Sequence, residues 1–107
     1  MYKNIDKENV LVLKDLVEYQ SGQVISKTLV QNDLVSITVF SFDKNEEIAT
    51  HKTSGDALVT ILDGTAKITI GDNSYILTSN QSIVMPKDIP HALFAEEKFK
   101  MILTVSY

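Results

Sequence analysis

The sequence of 107 residues contains no cysteine, no arginine and only two prolines. Without cysteine the chain has no disulfide, thiolate nucleophile, zinc–thiolate site or iron–sulfur cluster. Any metal would therefore need histidine, carboxylate or other oxygen ligands. Without arginine there is no bidentate fork for a carboxylate or a phosphate. The 10 basic residues are all lysines and the 14 acidic residues give a net charge of −4, which argues against a nucleic-acid partner.

The sequence also lacks the features of membrane and secreted chains. No apolar run approaches the ~20 residues that span a bilayer, and the first residues lack the apolar core of a signal peptide. We therefore expect a cytoplasmic protein without a membrane partner. The length fits a single domain over residues 1–107, and the 44% hydrophobic content is ordinary for a folded domain.

The first 23 residues predict an N-terminal helix or strand extension. Val10, Leu13, Leu16 and Val17 recur at spacings of three and four, which favours a short amphipathic helix within residues 9–20. The run from Val10 to Leu13 would also suit a strand. Ser21 and Gly22 end this segment.

Residues 24–107 predict a β-barrel or a β-sandwich. Short runs rich in Val, Ile, Thr and Phe are separated by polar turns, and the Asp63-Gly64 dipeptide predicts a hairpin. No long helical pattern lies between the runs. The predicted strands cover residues 24–30, 34–42, 56–62, 65–70, 75–77, 82–85, 91–95 and 100–107, and seven or eight antiparallel strands at this spacing are typical of an all-β barrel or sandwich.

The chain has two histidines, His51 and His91, and each is placed at the start of a predicted strand. In one barrel the two imidazoles can lie side by side and point inward, with Thr53 and Asp56 close to His51. Two imidazoles and one carboxylate form a known ligand set for Fe(II), and similar sets hold Zn or Mn. The alternative is that both are surface or hydrogen-bonded core histidines without a metal.

Two segments resemble the two sequence motifs of the cupin family. Residues 51–64 resemble the first motif: His51 matches its first histidine, Thr53 stands at the second, Asp56 at the glutamate and Gly64 at the closing glycine. Residues 83–91 resemble the second motif through Pro86 and His91. The resemblance covers about residues 35–107 and implies a double-stranded β-helix, or jelly-roll barrel, preceded by a short N-terminal helix.

The resemblance implies a site inside the barrel. Its candidate metal ligands are His51, Asp56 and His91, for a divalent Fe, Mn, Zn or Ni ion, although the loss of one family histidine leaves open a site without metal. The residues expected to line a pocket for a small, partly apolar ligand are Thr53, Leu58, Thr60, Leu62, Met85, Leu93 and Met101. The apolar members of this set would equally suit a packed core.

Three functions remain open at this point. The first is a cupin that binds a small molecule, with or without a divalent metal. The second is a metal-dependent enzyme, similar to dioxygenase or isomerase cupins, with a degenerate His/Asp/His centre. The third is an interaction module in which the barrel is only a scaffold.

The strand predicted over residues 56–62 is apolar on both faces. Ala57, Val59 and Ile61 lie on one face, and Leu58 and Leu62 on the other. A barrel interior covers one face, so the N-terminal segment or a second subunit must cover the other. The resemblance favours a homodimer.

Overall fold

The computed structural model describes residues 1–107 and is nearly all β, with 54% of the residues in strands and 4% in a helix. The all-β prediction is therefore confirmed. The elements are a 3-10 helix (Leu13–Leu16) and the strands β1 (Val24–Gln31), β2 (Val35–Phe42), β3 (Glu47–His51), β4 (Asp56–Ile70), β5 (Asn73–Thr78), β6 (Ser82–Met85), β7 (His91–Phe94) and β8 (Phe99–Ser106). No helix of the chain has the length and hydropathy of a membrane span.

The strands form one curled, antiparallel sheet built around β4. The order is β1-β2-β8-β4-β7-β3, and β5 and β6 also pair with β4. The first half of β4 pairs with β6 and β8, whereas its second half pairs with β5 and β7. Because one strand belongs to both halves of the sheet, its change of direction determines how the halves face each other.

The two halves of β4 meet at Gly64, within one continuous strand, so the hairpin predicted at Asp63 and Gly64 is wrong. β4 continues through both residues, and its register with β8 shifts between Ile61 and Asp63. Gly64 has a φ of 76°, and a Cβ atom on it would collide with the carbonyl oxygen of Lys98. The register shift leaves Leu62 unpaired, so a β-bulge lies just before the dipeptide, and Gly64 continues the strand in a left-handed conformation that glycine tolerates.

The N-terminal helix is much shorter than predicted. Only Leu13–Leu16 is helical, as a single 3-10 turn, and both flanking residues, Val12 and Val17, are extended. β-Branched valines favour extended backbone, which explains why the spacing of the apolar residues did not extend the helix. A polar turn between the strands predicted over residues 65–70 and 75–77 is confirmed, since Gly71 and Asp72 join β4 to β5.

Two apolar clusters lie on opposite faces of the sheet. The inner cluster contains 13 buried residues, among them Ala57, Val59 and Ile61 of β4. The outer cluster contains Val17, Leu29 and Val39, and partly buried residues including Leu62 and Ile102 pack against it. The N-terminal segment therefore covers part of the outer face, as the sequence suggested it could.

Candidate functional site

The two histidines face each other across neighbouring strands. His51 is the last residue of β3, rather than the start of a strand as predicted, and His91 is the first residue of β7. The two are cross-strand partners. Side chains of directly opposed residues in an antiparallel pair lie on the same face, so the two imidazoles converge.

A β-bulge in β3 aligns His51 with His91. Ile48 pairs with Leu93, and the register then shifts before His51 pairs with His91. Ala49 and Thr50 therefore lie opposite Ala92 alone. Without the extra residue, Thr50 would oppose His91 and His51 would point to the other face, because side chains alternate along a strand.

The imidazole rings are in edge-to-face contact. Their centroids lie 4.3 Å apart and their planes make an angle of 69°. His91 is only 1% exposed, whereas His51 is exposed. One ring of the pair is therefore held in the core and the other is open to solvent.

Backbone carbonyl groups fix the tautomer of both rings in their neutral form. Nδ1 of His51 lies 2.9 Å from the carbonyl oxygen of Ala49, and Nδ1 of His91 lies 3.1 Å from that of Ile89. A carbonyl oxygen only accepts hydrogen bonds, so each Nδ1 must carry the proton. In the neutral ring each Nε2 then has a free lone pair. Sequence reasoning missed this role of Ala49 and Ile89, since any residue can supply the carbonyl.

The neutral form of His91 is favoured by its surroundings. Burial lowers the pKa of His91 below its usual value, and the nearby His51 lowers this pKa further, although the hydrogen bond to Ile89 opposes the shift. At neutral pH the buried ring is therefore an uncharged hydrogen-bond acceptor.

Asp56 and Thr53 make contacts away from the histidine pair. Oδ1 of Asp56 accepts a hydrogen bond from the backbone N–H of Lys87 at 2.8 Å, and the Thr53 hydroxyl donates to the carbonyl oxygen of Gly55 at 2.8 Å. The side chain of Asp56 is exposed to solvent. The inward position next to it belongs to Ala57, which is fully buried and whose side chain has no ligating atom. The chain contains no group of three His, Cys, Asp or Glu side chains arranged to hold a metal ion, so the structure joins His51 to His91 but does not add Asp56 to them.

The orientation predicted for β4 is reversed. Leu58 is 41% exposed, the Thr60 hydroxyl bonds with that of Ser82 on the exposed face, and Leu62 packs in the outer cluster. The inward positions of β4 belong to Ala57, Val59 and Ile61, all fully buried. Both faces of β4 are apolar, so alternation alone did not identify the inner one.

The remaining predicted pocket residues belong to the packed interior. Met85, Leu93 and Met101 are at most 2% exposed and are members of the inner cluster. The largest cavity lies elsewhere, between the N-terminal segment and Lys27 of β1, and neither histidine lines any cavity. The histidine pair is therefore a shallow site at the end of β3 and β7.

The comparison with protein families identifies this β architecture. Residues 38–107 match the family described as Cupin domain. The chain belongs to the cupin family. The predicted jelly-roll fold is thereby confirmed, since the matched segment runs from β2 to the end of β8.

Two solved structures have the same fold along nearly the whole chain. A conserved protein of unknown function from Streptococcus pyogenes is 48% identical, with a TM-score of 0.96, over 98% of this chain and 92% of that one. A cupin superfamily protein from Desulfitobacterium hafniense is 34% identical, with a TM-score of 0.94, over 99% and 97% of the two chains.

More distant comparisons inform on the fold alone. A salicylate 1,2-dioxygenase from Pseudoaminobacter salicylatoxidans is 16% identical, with a TM-score of 0.73, over 80% of this chain and 27% of that one. No curated protein matches the chain.

Proposed function

We propose that this cupin binds a small molecule through the Nε2 atoms of His51 and His91. The observation that supports the proposal is the pair of Nδ1 hydrogen bonds to Ala49 and Ile89, which leaves two neighbouring acceptor nitrogens. The exposed ring of His51 gives a ligand access, and the buried ring of His91 is held in place.

The chemistry of the pair suggests which ligand groups it would recognise. Two neutral imidazoles accept hydrogen bonds from O–H or N–H groups. In this form they offer an anion no positive charge, and the chain has no arginine to supply one. We therefore infer a ligand that presents hydrogen-bond donors, rather than one recognised by its negative charge.

The ligand would occupy the shallow end of the sheet and not the barrel interior. The interior positions predicted to contact it are filled by the side chains of Met85, Leu93 and Met101. A ligand at the end of β3 and β7 can reach His51 from solvent without displacing these residues. A site of this depth predicts weak binding by an isolated chain, because little apolar ligand surface is buried.

The residues present do not complete a metal centre by themselves. Catalytic zinc sites use three protein ligands, and here the chain offers the two imidazoles without a third side chain in the group. Asp56, the predicted third ligand, is engaged with the backbone of Lys87. A divalent metal held by His51 and His91 would need its other ligands from water or from the small molecule.

A metal-dependent enzyme of the dioxygenase or isomerase type is the second candidate. It is favoured by the two free Nε2 lone pairs, which are the form in which histidine binds metal. Metal analysis separates the two candidates. Protein purified without chelator that holds less than about a tenth of an equivalent of Fe, Mn, Zn or Ni, unchanged after metal is added, would exclude the enzyme candidate.

Ring-nitrogen NMR tests small-molecule binding at this site. A library of small molecules that carry hydroxyl or amine groups would be screened for shifts of the two Nε2 resonances. The chain has two histidines, so these signals can be assigned with His51→Gln and His91→Gln. We expect binders that shift both Nε2 signals and that bind at least about tenfold more weakly to either variant.

The matched control is Asp56→Ala, which leaves both rings in place. Binders that shift only signals remote from β3 and β7, or that bind equally well to both histidine variants, would overturn the proposed site. Turnover of a bound compound that is lost in both His51→Ala and His91→Ala, with the fold retained, would favour the enzyme candidate instead.

We also propose that the chain forms a homodimer through the uncovered part of its outer face. Leu58 and Val84 are cross-strand partners of β4 and β6, and they are 41% and 50% exposed. The N-terminal segment covers another part of the outer face, around Leu29 and Val39, but does not cover Leu58 or Val84.

Sedimentation tests this dimer. The wild-type chain should sediment as a dimer, Leu58→Lys should dissociate it, and Ser74→Lys on β5 should not. Sedimentation of the wild type as only an 11.9 kDa species would reject the dimer.

A cytoplasmic location and a single domain, with an extension over residues 1–23 and a barrel over residues 24–107, stay predictions. Cell fractionation would test the location. Limited proteolysis would test the domain boundary.

A further inference from the structure

Residues 13–22, which we call the strap, cross the outer face of the sheet without joining it. No backbone–backbone hydrogen bond connects residues 17–22 to a strand, and the 3-10 helix at the start of the strap contains no buried residue. Val17 is the one strap residue that is buried, at 4% exposed. The strap therefore lacks the ladder of hydrogen bonds that makes sheet strands open only with the whole protein.

Side chains of three strands attach the strap instead, and at its end the Gly22 N–H donates to Oδ2 of Asp43 at 2.8 Å on the exposed surface. The Tyr19 hydroxyl donates to Oδ2 of Asp63 at 2.6 Å. Ser41 Oγ donates to the carbonyl oxygen of Glu18 at 2.8 Å, and Lys100 Nζ donates to that of Lys14 at 2.7 Å.

The contact between Tyr19 and Asp63 is the most strongly built of these attachments. Its hydrogen bond is both charge-assisted and part-buried, whereas that of Ser41 joins neutral groups and that of Lys100 is exposed. Lys98 and Lys100 place their ammonium groups 4.7 Å and 4.9 Å from the centre of the Tyr19 ring. Burial and the Asp63 carboxylate raise the pKa of Tyr19, so its hydroxyl stays a donor.

The strap covers apolar surface that would be exposed if it moved. Val17 packs in the outer cluster with Leu29 and Val39, and Leu62 and Ile102 pack against the same cluster. Leu62 lies on the same face of β4 as the exposed Leu58. Movement of the strap would therefore extend the exposed apolar surface along β4.

We propose that the strap opens as a unit while the sheet stays folded, and that the hydrogen bond between Tyr19 and Asp63 is the latch that holds it closed. Opening regulates how much of the outer apolar face is exposed. The proposal is independent of ligand binding at the histidine pair, because the strap contacts neither β3 nor β7 through any of these hydrogen bonds.

Thiol labelling of single-cysteine variants tests the proposal, because the natural chain contains no cysteine. Val17→Cys reports on the strap and Val105→Cys on the sheet. The two valines are matched, each 4% exposed, but Val105 lies in β8 between β2 and β4. We expect the thiol of Val17→Cys to react with Ellman's reagent at least about 100-fold faster than that of Val105→Cys, with a weaker dependence on urea.

Removing the latch should act on the strap alone. We expect Tyr19→Phe to speed the labelling of Val17→Cys about tenfold and to leave that of Val105→Cys within about twofold. Tyr75→Phe on β5 is the control, and it should change neither rate. Circular dichroism before labelling establishes that each variant is folded.

Two results would overturn the proposal. Equal labelling rates and equal urea dependence in the two cysteine variants would show that the strap opens only when the whole chain unfolds. An unchanged rate for Val17→Cys in the Tyr19→Phe background would show that the hydrogen bond to Asp63 is not the latch.

Discussion

His51 and His91 are opposed across β3 and β7 with their ring centroids 4.3 Å apart, although forty positions separate them in the sequence. The bulge between Ile48 and His51 is responsible, because it turns His51 to the face that His91 occupies. The two rings differ in burial, so their replacement should have different consequences.

His91→Ala should destabilise the fold more than His51→Ala. The buried ring of His91 fills space in the core, and its loss also leaves the Ile89 carbonyl without this donor. We expect the free energy of unfolding to fall by about 2–3 kcal/mol for His91→Ala and by less than about 1 kcal/mol for His51→Ala. Urea denaturation measures both values, and equal losses would contradict the difference in burial.

Stability should decrease as the pH falls below the ordinary histidine value of 6.5. The folded-state pKa of His91 is lowered, so the unfolded chain takes up this proton at a higher pH than the folded chain does. The contribution of the uncharged His91 to the free energy of unfolding is fully present above pH 6.5. It is lost as the pH falls toward the lowered pKa, by at most about 1.4 kcal/mol per pH unit.

The matched comparison is the pH dependence of His91→Phe. This variant should lack the histidine contribution but retain the contribution of the carboxylates. Identical slopes for the wild type and His91→Phe between pH 6.5 and pH 5 would show that burial does not depress this pKa.

Gly64→Ala should be severely destabilising, because a Cβ atom would meet the carbonyl oxygen of Lys98 and the φ of 76° is unfavourable for alanine. We expect a loss of more than about 3 kcal/mol, or no folded protein. Gly22→Ala is the control, since Gly22 has a φ of 68° but no atom within 4 Å of the added Cβ. Gly22→Ala should lower the free energy of unfolding by about 1 kcal/mol. Equal losses in Gly22→Ala and Gly64→Ala would show that the close approach of Lys98 to Gly64 does not matter for stability.

Asp56→Ala should alter the fold locally and leave the histidine pair intact. Removal of the carboxylate deprives the Lys87 N–H of its acceptor, so the free energy of unfolding should fall by about 1 kcal/mol. The affinity of the pair for added Zn²⁺, measured by calorimetry, should change less than about threefold. A decrease in Zn²⁺ affinity of tenfold or more would show that Asp56 is a metal ligand.

The sequence was sufficient for the class of fold and for the convergence of the two histidines. Alternating Val, Ile and Thr in β2, and the turn at Gly71 and Asp72, required no tertiary information. The resemblance to the cupin motifs predicts His51 and His91 in one site, although the bulge that aligns them has no signal in the sequence.

Other features depended on contacts that no local pattern encodes. Asp63-Gly64 is typical of a hairpin, but β4 continues through it, with the carbonyl oxygen of Lys98 in the space that a Cβ atom on Gly64 would fill. Leu58 and Val59 are both apolar, so their burial depends on which face of β4 meets Met85 and Met101. The tautomers of the histidines depend on backbone carbonyls, which are present at every residue.

The protonation of the two imidazole rings decides whether the pair can act as proposed. Long-range ¹H–¹⁵N NMR of the labelled protein at neutral pH, with His51→Gln used for assignment, distinguishes protonated from unprotonated ring nitrogens. We predict a protonated Nδ1 and an unprotonated Nε2 in both His51 and His91. A proton on Nε2 of either ring would remove the paired acceptors and contradict the proposed binding site.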